Sequence, residues 1–182
     1  MPLPGIDQFK SRLQFAGARA CLFRVTIPGP PAGSALNGLM EEMSFMVKAT
    51  TPPGSKFETI QVPFMGRMLK LAGERSFEDW KITVYNETNM PIRNAFEQWM
   101  ANISAHATPS GLTNLSAYSS DLRVTQLDRS GIPTKSYTLS GAFPTDISSI
   151  ELNYETNNAI ETFDVTFAYQ YWNTLEVPET LL

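Results

Sequence analysis

Residues 72–87 read AGERSFEDWKITVYNE, a run in which Glu74, Arg75, Glu78 and Asp79 are interleaved with the aromatics Phe77 and Trp80. Two carboxylates held close together can serve as a general acid and a general base, as in glycoside hydrolysis. Here the acids are mixed with Arg75 and Lys81, and charges so mixed read as an ion-pair network on a solvated or contact surface. The single histidine, His106, lies among small polar residues, with nothing beside it that builds a Ser-His-Asp relay. The sequence contains no G-x-S-x-G, P-loop or G-x-G-x-x-G, and no His and Cys cluster with metal-ligand spacing. The chain is therefore expected to hold no catalytic residue, no metal and no cofactor. Cys21 cannot pair internally and sits in ACLFRVTI, where a buried thiol is expected.

With 182 residues, 42% hydrophobic and 18% charged, the chain is expected to form one domain over residues 1–182. Its net charge of −4 and pI near 5.0 argue against a tight grip on DNA or RNA, which draws on Lys and Arg displacing counterions. No apolar stretch has signal-peptide character or spanning length, so the chain is expected to be soluble, made inside the cell and without membrane binding of its own. The aromatic run FAYQYW has no Lys or Arg around it and reads as core and contact surface, not as a base-stacking platform.

Alternation supplies the elements. Cys21, Phe23, Val25 and Ile27 predict a strand over 20–27, and Phe45 with Val47 another over 43–49. Trp80, Ile82 and Val84 share one face of a third strand, which places Trp80 in the core. Asn89 as cap, Pro91 in the first turn, and Ile92, Phe96, Trp99, Met100 and Ile103 on one face predict a helix. DLRVTQLD, RSGIP and KSYTLSGAF form a hairpin pattern, followed by IELNYET and a long IETFDVTFAYQYW strand. On these strands Asp121, Arg123, Thr125, Ser136, Thr138, Ser140, Glu151, Asn153 and Glu155 make a polar face. The opposite residues Leu122, Val124, Tyr137, Leu139, Leu152 and Tyr154 are expected to be buried.

The expected fold class is mainly β: a two-sheet β-sandwich or barrel with one flanking α-helix and long loops. Residues 28–42 and 51–73 read as extended loops, residues 1–19 as an N-terminal arm and 173–182 as a C-terminal tail. The second loop, with Ile60, Val62, Leu69 and Leu71, is too apolar to stay solvated, so something is expected to cover it.

The stretch QVPFMGRMLKLAGERSFEDWKITVYNE resembles the tail tube proteins of contractile-tailed bacteriophages, in which VPxxFMxRxxxxAGxRxFxDWxxTVxND precedes a helix. The similarity runs from FMVKATTPPG through PIRNAFEQWM to LSGAFPTDISSIELNYETNNAIETFDVTFAYQYW, about residues 19–172. The loop at 28–42 is long for that family, and TLEVPETLL runs past its usual end.

The resemblance implies a subunit that forms six-membered rings, stacked head to tail into a hollow tube inside a contractile sheath. Its implied partners are copies of itself, the tail sheath protein outside, and a baseplate tube initiator and a tail terminator at the ends. A tape-measure protein and then transiting DNA pass inside without tight binding. The implied location is the virion, after assembly in the host cytoplasm. On this reading Phe57, Ile60, Val62, Phe64, Met65, Arg67, Met68 and Leu69 contact a neighbouring subunit, and Glu74, Arg75, Glu78 and Asp79 set its register. The polar strand face would line a net acidic lumen. Within the resemblance, the alternatives are the tube of a phage-like injection or secretion system and a baseplate-proximal initiator. A monomeric small-ligand β-barrel is the reading from a different class.

Overall fold

The computed structural model describes residues 6, 17–27, 38–105, 111–155 and 158–176. Its strands are β1 (Phe23–Thr26), β2 (Val47–Thr50), β3 (Lys56–Phe64), β4 (Arg67–Ser76), β5 (Trp80–Tyr85), β6 (Ser120–Leu127), β7 (Pro133–Ile147), β8 (Thr162–Ala168) and β9 (Tyr171–Glu176). The helices are α1 (Met40–Met46), α2 (Pro91–Ile103) and α3 (Leu115–Tyr118). Among the described residues, seven strands are hydrogen-bonded in the order β1-β6-β7-β8-β5-β2, with β9 also on β7, while β3 and β4 pair only with each other.

The long strand β7 makes this path into two sheets. Its first half pairs antiparallel with β6 and β9, from Lys135↔Glu176 to Ser140↔Tyr171. Its second half pairs with β8, from Phe143↔Ala168 to Ile147↔Val165. Between the halves lies Gly141 at φ 63, a conformation that a Cβ disfavours. A side chain there would also meet Cγ of Gln170 at 3.1 Å. The return chain changes sheet at the same place, where Gln170 N donates to Ser140 O at 3.0 Å. Strands that pass from one sheet to the other at a bend are a known way to build a sandwich corner.

The inner faces of both sheets share one core. Val25, Leu122, Val124 and Leu139 come from the first sheet, and Trp80, Ile82, Val84, Phe163, Val165 and Phe167 from the second. Helix α2 sends Phe96 and Trp99 onto Phe167, with ring centroids 5.9 and 6.2 Å away. Trp99 Nε1 donates to Tyr118 O at 2.7 Å, which ties α3 to the same helix. Helix α1 packs against β1 and β5 and buries Met43 completely.

The mainly β, two-sheet architecture is as the sequence predicts, but the sheet is not a closed barrel, since the bonded path ends at β1 and β2. Several local expectations are corrected. Residues 40–46 are helical, so Phe45 faces solvent while Val47 is buried. Cys21 precedes β1 and is exposed. Asn89 is not the helix cap: Met90 takes that place at φ 51 with no side-chain cap bond. Residues 148–155 form no strand, and Leu152 and Tyr154 are exposed. The long last strand is two strands joined by the corner, and residues 173–176 of the expected tail belong to β9. Of the N-terminal arm, residues 1–5 and 7–16 lie outside the described residues, as do 28–37, His106 and 177–182.

Phe167→Ala should lower unfolding free energy by about 3–5 kcal/mol, because the cavity is lined by aromatics that cannot collapse into it. Gly141→Val should lower it by at least about 1–2 kcal/mol through the left-handed backbone alone. Urea denaturation of the unassembled subunit measures both.

Candidate functional site

The segment expected as a loop over 51–73 is a β-hairpin. Strands β3 and β4 pair from Lys56↔Ser76 to Phe64↔Arg67, and Met65 (φ 44) with Gly66 (φ 76) closes them. Two successive positive φ values are the signature of a type I′ turn, whose twist matches that of the strands. The cross-strand pairs Ile60↔Leu71, Val62↔Leu69 and Phe64↔Arg67 lie on one face, and Gln61↔Lys70, Thr59↔Ala72 and Pro63↔Met68 on the other. One face is thus apolar, ending in Phe64 and, at the turn, Met65, which are 68% and 88% exposed. Every residue of β3 is exposed.

The root of this hairpin, by contrast, is fastened to the core. Pro53 is buried. Trp80 Nε1 donates to Thr51 O at 2.8 Å, and Trp172 Nε1 to Gly54 O at 3.1 Å. On the returning side Phe77 packs on Tyr169, with ring centroids 5.9 Å apart. The aromatics of AGERSFEDW therefore anchor the hairpin base, with Trp80 in the core as expected.

The neighbouring charges remain on the surface. Arg75 lies over the Phe57 ring at 4.5 Å, but Glu74, Arg75, Glu78 and Asp79 form no ion pair with one another. Burial, and then the charges of Asp79 and Glu78, push the Tyr169 hydroxyl above its usual pKa. That hydroxyl is buried without a hydrogen-bond partner.

The first sheet presents a polar face away from the core. Its rows are Thr26↔Arg123↔Thr138↔Asn173 and Arg24↔Thr125↔Ser136, with Ser140 beside Tyr171. Thr125 and Ser136 hydroxyls are 3.1 Å apart, and Asp121 Oδ1 accepts from Gly141 N at 3.1 Å. Arg123 Nε and Thr138 Oγ1 are buried without partners. The structure thus brings Asp121, Arg123, Thr125, Ser136, Thr138 and Ser140 together. It does not bring Glu151, Asn153 and Glu155 to them, because these lie in the segment joining β7 to β8.

The second sheet's outer face is internally paired. Lys81 Nζ lies 2.8 Å from Asp164 Oδ2, and Thr83 Oγ1 donates to Asp164 Oδ1 at 2.6 Å. The Lys81 ammonium first, and then the Thr83 hydroxyl, hold the Asp164 carboxyl below its usual range against the opposing effect of burial.

The sequence reading missed a second exposed apolar patch, Leu152, Tyr154 and Ile160, between β7 and β8. The turn-forming NYETNN within it was the available signal.

The chain matches the family described as phage tail tube protein over residues 8–175. It belongs to that family. It is 32% identical over 156 residues to the tail tube protein gp19 of Enterobacteria phage T4, covering 85% of this chain and 90% of that one. The tail tube protein of Serratia phage KSP90 is 28% identical over 166 residues, covering 90% and 93%. The fold is shared with a chain of an extracellular contractile injection system sheath-tube complex at TM-score 0.66, 14% identity, and 92% and 97% coverage. A chain of the anti-feeding prophage baseplate aligns at TM-score 0.63 and 16% identity, covering 98% and 99%. As a tail tube protein the chain is a structural component of a virion, and the exposed hairpin is the feature of its fold that calls for a neighbour.

The lowered pKa of Asp164 fixes the sign of one pH effect. Its stabilisation is complete above the usual 3.8 and is lost as pH falls through the lower folded-state value. Asp164→Asn should therefore flatten the acid limb of the stability curve below about pH 4. Unfolding midpoints measured from pH 2 to 7 on both proteins test this.

Proposed function

We propose that this tail tube subunit polymerises as stacked six-membered rings into the hollow inner tube of a contractile phage tail, the conduit for genome ejection. The observation that carries the proposal is the hairpin with an exposed apolar face and, among the described residues, no core beneath it. A lone two-stranded hairpin is marginal in water, and a contiguous apolar surface marks an interface. Phe57, Ile60, Val62, Phe64, Met65, Arg67, Met68 and Leu69 would contact the adjacent subunit, with Leu71 added to the apolar face of Ile60, Val62, Phe64 and Leu69 and Met68 reaching it from the other face. Glu74, Arg75, Glu78 and Asp79 at its root would fix orientation.

The edges of β1, β2 and β9, each paired on one side only among the described residues, suit strand addition between ring neighbours. The polar face carrying Asp121, Arg123, Thr125, Ser136, Thr138 and Ser140 would line the lumen. Without Glu151 and Glu155 this face sets Asp121 against Arg24 and Arg123, so it is polar but not the net acidic wall expected from the sequence, and its few charges still let DNA pass without a tight grip. The sheath protein would lie outside, the tape-measure protein and then DNA inside, and an initiator and a terminator at the two ends. The subunit would act as building material and not as a catalyst.

Assembly should depend on concentration. Light scattering with negative-stain microscopy should show rings or tubes above a threshold. A chain that stays monomeric even with tube fragments as seeds overturns the proposal. Amides of residues 56–76 should exchange quickly in the monomer and slowly in the tube. Phe64→Ser with Met65→Ser should abolish tubes while leaving the monomer's unfolding midpoint unchanged, since each side chain contributes about 1.5–3 kcal/mol when fully buried.

A further inference from the structure

A head-to-tail contact joins two different patches, and repeated growth requires them at opposite ends of the subunit. The hairpin leaves the second sheet at the Trp80 end of β5. Residues 148–155 and 158–161 cap the other end of the same sheet, where Tyr85 pairs with Thr162 and Asn86 N donates to Glu161 O at 2.9 Å. This second segment is pinned at its two ends: Arg93 Nη1 donates to Ser148 O at 3.2 Å, and Asn86 Nδ2 to Glu161 Oε2 at 2.7 Å. Between those points it exposes Leu152 (85%), Tyr154 (101%) and Ile160 (72%). They border an open cleft of about 650 Å³.

The two ends are opposite in charge as well as in position. The hairpin Lys56–Ser76 carries Lys56, Arg67, Lys70 and Arg75 against Glu58 and Glu74, a formal +2. Residues 148–161 carry Glu151, Glu155 and Glu161 and no base, a formal −3. Arg67, Lys70, Glu151 and Glu155 form no ion pair among the described residues. At about 3.3 Å per residue, nine-residue β3 reaches about 30 Å, far enough to span a gap between subunits.

We propose that the cleft lined by residues 150–154 and 159–162 is the receptor for the hairpin tip of a second copy of this chain. Phe64 and Met65 seat among Leu152, Tyr154 and Ile160, while Arg67 and Lys70 face Glu151 and Glu155. The inference rests on the tube reading and adds the surface that receives the hairpin.

Reciprocal charge reversal tests it. Arg67→Glu with Lys70→Glu gives a chain acidic at both ends, and Glu151→Lys with Glu155→Lys gives one basic at both ends. Each alone should raise the concentration needed for assembly by at least about tenfold at low salt. An equimolar mixture should assemble, because each chain's hairpin then meets an opposite charge, and one chain carrying all four changes should assemble by itself. Unchanged thermal melting of each monomer confirms that it folds. In a Cys21→Ser background, Phe64→Cys with Leu152→Cys should yield a ladder of covalent oligomers on oxidation. The pairing is overturned if wild type assembles and either reversed chain still assembles like it, or if both fail and neither the mixture nor the combined chain recovers. A wild type that never polymerises overturns the tube reading itself, and this inference with it.

Discussion

The bend of β7 at Gly141 is the constraint on which the rest of the subunit depends. One continuous strand belongs to both sheets, so the angle between them is set by a covalent chain and not by side-chain packing alone. The left-handed backbone at 141 permits the turn, and the antiparallel return chain, which changes sheet at Gln170 and is bonded there to Ser140, reinforces it. With both sheets held at that corner, Leu139 reaches one side of the core and Phe167 the other, and α2 fills the space between with Phe96 and Trp99.

That core also explains how a tail tube protein can carry a long unsupported hairpin. The hairpin contributes none of the fully buried residues, so its exposed face does not weaken the subunit's own packing. Its root is gripped by buried Pro53, by the indole N–H groups of Trp80 and Trp172, and by Phe77 on Tyr169. Fastening the root in this way would reduce the ordering needed if a second copy covers the hairpin as proposed, because only the exposed part must then be fixed.

The two outer faces divide the labour differently. On the second sheet, Lys81, Thr83 and Asp164 satisfy one another across β5 and β8, which leaves little to offer a partner. On the first, the Arg123 Nε and Thr138 Oγ1 atoms are buried and unpaired. Unpaired polar atoms are costly to bury, so this face is the less self-sufficient of the two. The second sheet's outer face is therefore closed by its own pairing, while the first keeps polar atoms without partners.

The sequence by itself determined the elements whose periodicity is local and strong. The β5 alternation, the β6–β7 hairpin with its RSGIP turn, the apolar stripe of α2 and the burial of Trp80 are all legible from neighbouring residues. The apolar excess of residues 51–73 was legible too, and so was the family, because its motif spans that excess and β5. Only the tertiary structure decided what those stretches do in space. MEEMSFM suits a helix or a strand until Met43 finds β1 and β5. The alternation of IELNYET continues past the point where β7 has any partner, so Leu152 and Tyr154 end exposed. The break between β8 and β9 follows from the corner at Gly141, 29 residues before Gln170 in sequence and in contact with it in space. Alternation records which side chains share a face, but whether that face meets a core, a second copy or water depends on pairings between distant residues, and those exist only in the folded chain.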